Sequence, residues 1–290
     1  MGSELSLDVY VSDYKPIQGD PAVMSEGRAT WPASSISLLS GERDAVLIDA
    51  LITFEEAKKA AEWIRAKGKR LTTIYITHGH GDHMFGLNTL LAAFPDARAV
   101  ALAEVMPAIE SQVTAGYLAY WGILFPGQIP EQPVLPVALD GEVIDLEGHE
   151  LRLINIGQGD TDPSTVVYVP ELAAVVGGDV CYNRIHMWLA LTNQEARLAW
   201  IESINKIEAL RPRIVVAGHK APGARDDDLA ELIVGSRQYI KDFEQAAQLS
   251  VSRDDLVEKM LTVHGDRGNV FSLWNSATAF FRTRDQGDKT

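Results

Sequence analysis

Thr77-His78-Gly79-His80-Gly81-Asp82-His83 sets three imidazoles and a carboxylate close together, directly behind the apolar run Leu71-Thr72-Thr73-Ile74-Tyr75-Ile76. A run of that length, rich in β-branched and aromatic side chains, reads as a buried strand. The two glycines let the chain turn tightly at the strand's end, so that several side chains converge on one point. Imidazole and carboxylate suit zinc and other borderline first-row divalent ions. The spacing lets His78 and His80 face one position, and Asp82 and His83 an adjacent one. The bland alternative, polar residues on the surface of a strand-to-helix loop, is outweighed by the strand that delivers them.

This stretch resembles the H-x-H-x-D-H signature of the metallo-β-lactamase superfamily, and later landmarks of that family follow in order. An aspartate closes a small-residue strand end at Val176-Gly177-Gly178-Asp179, and a histidine ends a late strand at Val215-Val216-Ala217-Gly218-His219. Between them, where the family has a Gly-His-Thr/Ser segment, this chain reads Ile156-Gly157-Gln158-Gly159-Asp160-Thr161, with Gln158 in place of the histidine. The resemblance runs over roughly residues 30 to 220 and is specific for fold and metal, much less so for substrate. It implies an α/β chain folded as a four-layer αβ/βα sandwich of two mixed β-sheets flanked by helices. One domain would span residues 1–290, with a helical C-terminal tail from about 226 to 282.

The resemblance also implies a site for two divalent metal ions, with zinc the leading candidate. One subsite would take His78, His80 and the residue at Gln158. The other would take Asp82, His83 and His219, and Asp179 would bridge both. A Gln amide oxygen is a poorer zinc ligand than imidazole and suits harder ions. Three outcomes therefore stay open: a loosely held or empty first position, iron or manganese there, or a single metal. Asp160 or Asp162 could substitute for Gln158. Asp49, at the end of an early strand, either supports the metal loop through a hydrogen bond to a ligand or caps a turn.

The function implied is metal-dependent hydrolysis, in which water made acidic by the metal attacks an ester-like carbonyl. Asp82 would double as acceptor of the water's proton. Tyr182 lies three residues after Asp179, the offset at which N-acyl homoserine lactonases of this superfamily carry a tyrosine that contacts substrate. A phenol can donate such a hydrogen bond; the alternative is a tyrosine packed on the adjacent strand. Asp179 favours the glyoxalase II and lactonase branch over the zinc β-lactamases. A lactone is thus the best single substrate, with a β-lactamase-like amidase or a non-hydrolytic iron-binding redox or sensory protein as alternatives.

Composition sets outer limits. Apolar residues at 46% and charged residues at 23% describe an ordinary globular chain with material for a sizeable core. A net charge of −14 argues against a nucleic-acid partner, which needs clustered Lys and Arg. The lone Cys181 excludes an internal disulfide. The stretch M-G-S-E-L-S-L-D-V-Y-V lacks the charged start and apolar core of a signal peptide, and no apolar stretch is long enough to span a bilayer. The expectation is a cytoplasmic enzyme acting on a small molecule, away from membranes, with a homodimer open.

Outward from the metal loop, Thr53 to Lys67 reads as an amphipathic helix with a Thr53/Glu56 capping box and Gly68 as its stop. Met84 to Phe94 reads as the helix after the loop. Glu142 to Leu146 and Glu150 to Ile154 alternate as a hairpin. Tyr117, Tyr120, Trp121 and Phe125 form an aromatic-rich insertion that serves either as core or as a pocket wall. His149 reads as solvated near its turn; His186 could bind substrate or support a ligand, though a lone histidine is more often neither.

Overall fold

The computed structural model describes residues 5–18 and 29–287. The first four residues of the stretch read above for a signal peptide lie outside the described residues.

The longer strands form two sheets. The first has six strands in the order β1 (Ser6–Val11), β2 (Ser35–Ser40), β3 (Asp44–Ile48), β4 (Arg70–Tyr75), β5 (Arg98–Leu102) and β6 (Val137–Leu139). Its β1–β2–β3 pairs are antiparallel and its β3–β4–β5–β6 pairs parallel. The second contains β7 (Val143–Leu146), β8 (His149–Gly157), β9 (Ser164–Val169), β10 (Ala174–Val176) and β11 (Ile214–Val216), again in chain order. It is antiparallel except for the parallel pair β10–β11.

The period of two explains the layering, since successive side chains of a strand point to opposite faces. On β3, Ala45 and Leu47 join a cluster on the helix side, while Val46 and Ile48 join the one between the sheets. There they meet Leu151, Leu153, Val167 and Val176 of the second sheet. Helices α1 (Phe54–Ala66) and α2 (Leu87–Ala93) lay Ala57, Ala60, Ile64, Leu87 and Leu90 on the outer face of the first sheet. Two further helices, α3 (Met106–Gln112) and α4 (Ala115–Leu124), follow β5.

The second sheet's outer face is covered by α5 (Gln194–Ala209), α6 (Ser236–Leu249), α7 (Arg253–His264) and α8 (Val270–Gly287). They contribute Trp200, Ile204, Tyr239, Phe243, Leu256 and Leu273 to a third cluster. Helix, sheet, sheet, helix is the αβ/βα sandwich that the sequence implied. Among the described residues no helix is long and apolar enough to cross a membrane.

Local signals read from the sequence hold where the backbone has no competing partner. Thr53 caps α1 with the reciprocal Thr53–Glu56 bonds in place. The hairpin β7–β8 turns through Glu147 (φ 55°) and Gly148 (φ 93°), two left-handed residues that match the twist of the strands. The helix expected from Met84 starts later. The chain makes a 3-10 turn at Gly81–His83, and α2 begins at Leu87. The main chain of this stretch is taken by tertiary bonds instead, Ala50 N–H to His83 O and Gly86 N–H to Leu51 O.

Candidate metal centre

Three strand ends converge at one edge of the sandwich. The chain leaving β4 presents His78, His80, Asp82 and His83. The parallel neighbours β10 and β11 deliver Asp179 and His219 to the same end. A parallel bridge pairs Tyr182 with His219, and Thr165 N–H to Thr77 O at 3.0 Å ties β9 to the metal loop. Crowding as well as turning explains the glycines of the motif. A Cβ at Gly79 would lie 2.3 Å from Ala108 Cβ and 2.7 Å from the Ala108 carbonyl carbon, so α3 could not seat against the loop.

The converging side chains fall into two groups, His78/His80/Asp160/Asp179 and Asp82/His83/His219, each with its ligand-type atoms within 4.8 Å of one another. All seven residues are buried. Asp179 reaches both groups: its Oδ1 lies 3.3 Å from His83 Nε2 and its Oδ2 lies 3.1 Å from His219 Nε2. Asp82 Oδ2 is 3.3 Å from His219 Nε2. Asp160 Oδ2 stands 2.7 Å from His80 Nδ1, and its Oδ1 stands 3.7 Å from His78 Nε2.

Four of these atoms, His78 Nε2, His83 Nε2, Asp160 Oδ1 and Asp179 Oδ1, are buried without a hydrogen-bond partner among the described residues. Orphaned polar atoms are costly in an interior. Two imidazole nitrogens and two carboxylate oxygens left open at one point are the donor set of a divalent cation. The residues present therefore fit the metal that the sequence implied.

Three of the four imidazoles are held from behind. Asp49 Oδ2 lies 3.0 Å from His83 Nδ1 and accepts from the Thr77 hydroxyl, whose Oγ1 is in turn 2.9 Å from His78 Nδ1. His219 Nδ1 faces Ala33 O at 3.3 Å and Ser34 Oγ at 3.4 Å. Such partners fix which ring nitrogen points to the centre. Asp49 thus belongs to the support of the loop.

The charges compensate one another. Burial alone would neutralise His83, but Asp179 and Asp49 raise its pKa well above the ordinary value. Burial likewise opposes charge on His219, and Asp179 carries it up to about 9. Burial would protonate Asp179, yet His219 and His83 hold it well below the usual carboxylate range. Burial, reinforced by the neighbouring His83, pushes His78 down. Holding a divalent cation here would require His83 and His219 in their neutral forms.

Two expected residues are placed differently. Gln158 stays out of both groups: it is partly exposed, and its amide donates to Gly159 O at 2.9 Å. The reason is a tight turn in which Gly159 N–H bonds Thr161 O at 2.8 Å, leaving Asp160 directed inward. Tyr182 is fully buried, with its hydroxyl donating to Asp179 Oδ2 at 2.8 Å, and it is absent from the cavity wall. Its hydroxyl is spent on Asp179, behind the centre. Asp162 belongs to neither group.

A cavity of about 590 Å³ opens over the centre, with His80, Asp82, Asp160, Asp179 and His219 at its floor. Tyr117, Tyr120 and Trp121 of α4 line it, so the aromatic insertion is a wall, while Phe125 packs behind against Trp31. The opposite wall is α8, through Ser272, Asn275, Ala279 and Arg282 at helical spacing.

Sequence reasoning missed Trp31, whose indole N–H donates to Asp82 Oδ2 at 2.9 Å. It also missed Gln112, whose amide oxygen accepts from Gly81 N–H and from the Trp121 indole, both at 3.2 Å. A single Trp upstream of the strands and a single Gln carry no spacing signal. The stripe on α8 does carry one, at i, i+3, i+7 and i+10. His186 lies in the core beside Tyr239, away from the centre.

With this geometry in view, the relatives are informative. A sequence profile described as Metallo-beta-lactamase superfamily matches residues 29–219, well over half of the chain. The chain belongs to the metallo-β-lactamase superfamily.

Among curated proteins, a hydroxyacylglutathione hydrolase of Synechocystis sp. (strain ATCC 27184 / PCC 6803 / Kazusa) is 24% identical over 219 residues, covering 75% of this chain and 70% of that protein. A hydroxyacylglutathione hydrolase of Francisella tularensis subsp. novicida (strain U112) is 33% identical over 101 residues, covering 32% of this chain and 38% of that protein. The match to the Francisella relative thus spans well under half of its length.

Among solved structures, a metallo-β-lactamase family protein from Thermus thermophilus superposes with a TM-score of 0.64 at 19% identity, covering 96% of this chain and 94% of that one. A metallo-β-lactamase from Pontibacter korlensis gives 0.58 at 17% identity, covering 82% of this chain and 100% of that one. These likenesses establish the shared fold.

Proposed function

We propose that this protein is a metal-dependent hydrolase of ester-like carbonyl compounds, with a lactone as the substrate class. The observation that carries the reading is the set of orphaned imidazole and carboxylate atoms lying beneath a substrate-sized cavity. His78, His80 and Asp179 would hold one ion, and Asp82, His83, His219 and Asp179 the other. Bound divalent ions supply Lewis acidity, which makes water acidic and polarises a carbonyl.

The protein's own residues supply the rest. Asp82 faces the cavity with one oxygen fixed by the Trp31 indole, a carboxylate positioned to accept the attacking water's proton. Trp31, Trp121, Trp188 and Tyr117 give the substrate an apolar bed and exclude bulk water.

The wall chemistry supports a neutral ester over a highly charged thioester conjugate. Apart from the residues of the centre, Arg282 at the rim is the one charged group among the described lining residues. The relatives named hydroxyacylglutathione hydrolases make thioesters the reading to test beside lactones.

The experiment is proton release at constant pH from lactones, thioesters and β-lactams, with zinc, manganese or iron(II) added and His219→Ala as control. Metal-dependent acid release from lactones, lost in the variant, is the expected result. Turnover confined to β-lactams would make the protein an amidase. Silence across the panel under every metal would remove the hydrolase reading.

A further inference from the structure

We propose that Asp160 is the fourth side-chain ligand of the first subsite, beside His78, His80 and Asp179. The two subsites then become a matched pair, each with two imidazoles and two carboxylates. The inference rests on the metal-dependent reading above and specifies which atoms make the centre.

The turn after β8 decides between the candidates. Gly159 N–H bonds Thr161 O, and Ser164 Oγ donates to the same carbonyl at 3.0 Å. A Cβ at Gly159 would lie 2.6 Å from Ser164 Oγ, so a side chain there would push that hydroxyl off the Thr161 carbonyl. Closed this way, it spends the Gln158 amide on a neighbouring carbonyl and drives Asp160 inward, where it is 1% exposed.

The second observation is chemical. Asp160 reaches both imidazoles of the first group, with Oδ2 at His80 Nδ1 and Oδ1 toward His78 Nε2. Among the described residues, both Asp160 Oδ1 and His78 Nε2 lack a hydrogen-bond partner. A carboxylate serving only to orient His80 would have no reason to leave its other oxygen open toward a second open ligand atom. That pair of free lone pairs marks a position for a cation.

The ligand census follows. His78, His80, Asp160 and Asp179 serve one ion; Asp82, His83, His219 and Asp179 serve the other. Three carboxylates face four positive charges, one carboxylate more than a set with histidine at that position would hold. Carboxylate oxygen is a harder donor than imidazole nitrogen and narrows the advantage of zinc over manganese. This centre therefore discriminates less steeply between the two ions than a centre with a third imidazole.

The test counts metal. Purified protein is loaded with zinc or manganese, desalted and measured for ions per chain by mass spectrometry, and affinities are taken by competition with a chelator. Wild-type protein is expected to hold two ions, and Gln158→Ala two. Asp160→Ala and Asp160→Asn should hold one, with the circular dichroism of the folded chain retained. Asp160→His should hold two zinc ions, with a zinc-to-manganese affinity ratio at least about tenfold above wild type.

Asp160→Ala retaining both ions at wild-type affinity, or Gln158→Ala losing one, would overturn the assignment. So would an unchanged ratio in Asp160→His. Wild-type protein that binds no metal would overturn the hydrolase reading along with it, whereas a two-ion protein that hydrolyses nothing would overturn that reading alone.

Discussion

Tyr182 donates its hydroxyl hydrogen to Oδ2 of Asp179 across 2.8 Å, with both residues sealed from solvent. The same oxygen faces His219 Nε2 at 3.1 Å. The phenol therefore sits behind the centre, locking the one carboxylate that both groups share. Burial, with Asp179 beside it, pushes the Tyr182 pKa well above its ordinary value, so the hydroxyl stays a donor.

Removing that hydroxyl should loosen metal and leave chemistry largely intact. Partners that orient a ligand typically contribute 10- to 100-fold in metal affinity. Tyr182→Phe is expected to show that loss in chelator-buffered titrations, with kcat recovering toward wild type at excess metal. A kcat that stays low at saturating metal would instead put the phenol on the substrate.

Much of this architecture is legible in the sequence because its causes are local. The alternating β7–β8 hairpin with its Glu147-Gly148 turn and the capping box at Thr53 each follow from a few neighbouring residues. The H-x-H-x-D-H stretch is legible for the same reason: a strand and a loop of seven residues carry four ligand-type side chains. Asp160 and Gln158 differ because their roles depend on which way one turn closes, and that is settled by Ser164 and the Gly159–Thr161 bond. Trp31 is invisible for a stronger reason, since its partner Asp82 lies 51 residues away.

Trp31 separates packing from hydrogen bonding. Its ring contacts Trp121 with centroids 5.0 Å apart and Trp188 at 5.7 Å, while its N–H holds Asp82. Phenylalanine keeps most of the apolar contact and deletes the donor. A hydrogen bond to a charged group is worth about 1.5–3 kcal/mol. Trp31→Phe should accordingly lower kcat/KM by roughly 10- to 100-fold at saturating metal. The melting temperature is expected to move little. A large fall in melting temperature with unchanged kcat/KM would reduce Trp31 to a packing residue.

His186 offers a pH test remote from the centre. Its Nδ1 lies 3.1 Å from Tyr239 Oη beneath α6. Burial, then the Arg267 guanidinium and His264, push its pKa down to about 3. The unfolded chain takes the proton near pH 6.5, the ordinary value for histidine. Below that pH the unfolded state binds a proton that the folded state refuses, so stability is lost as pH falls from 6.5 toward 3 and is fully present above 6.5. At pH 5 the loss amounts to about 2 kcal/mol, or roughly 4–8 °C in melting temperature for a domain of this size. In metal-free protein in chelator, the loss of melting temperature between pH 7 and pH 5 should be larger in wild type than in His186→Gln by roughly this amount. Parallel losses in the two proteins would assign the acid sensitivity to other groups.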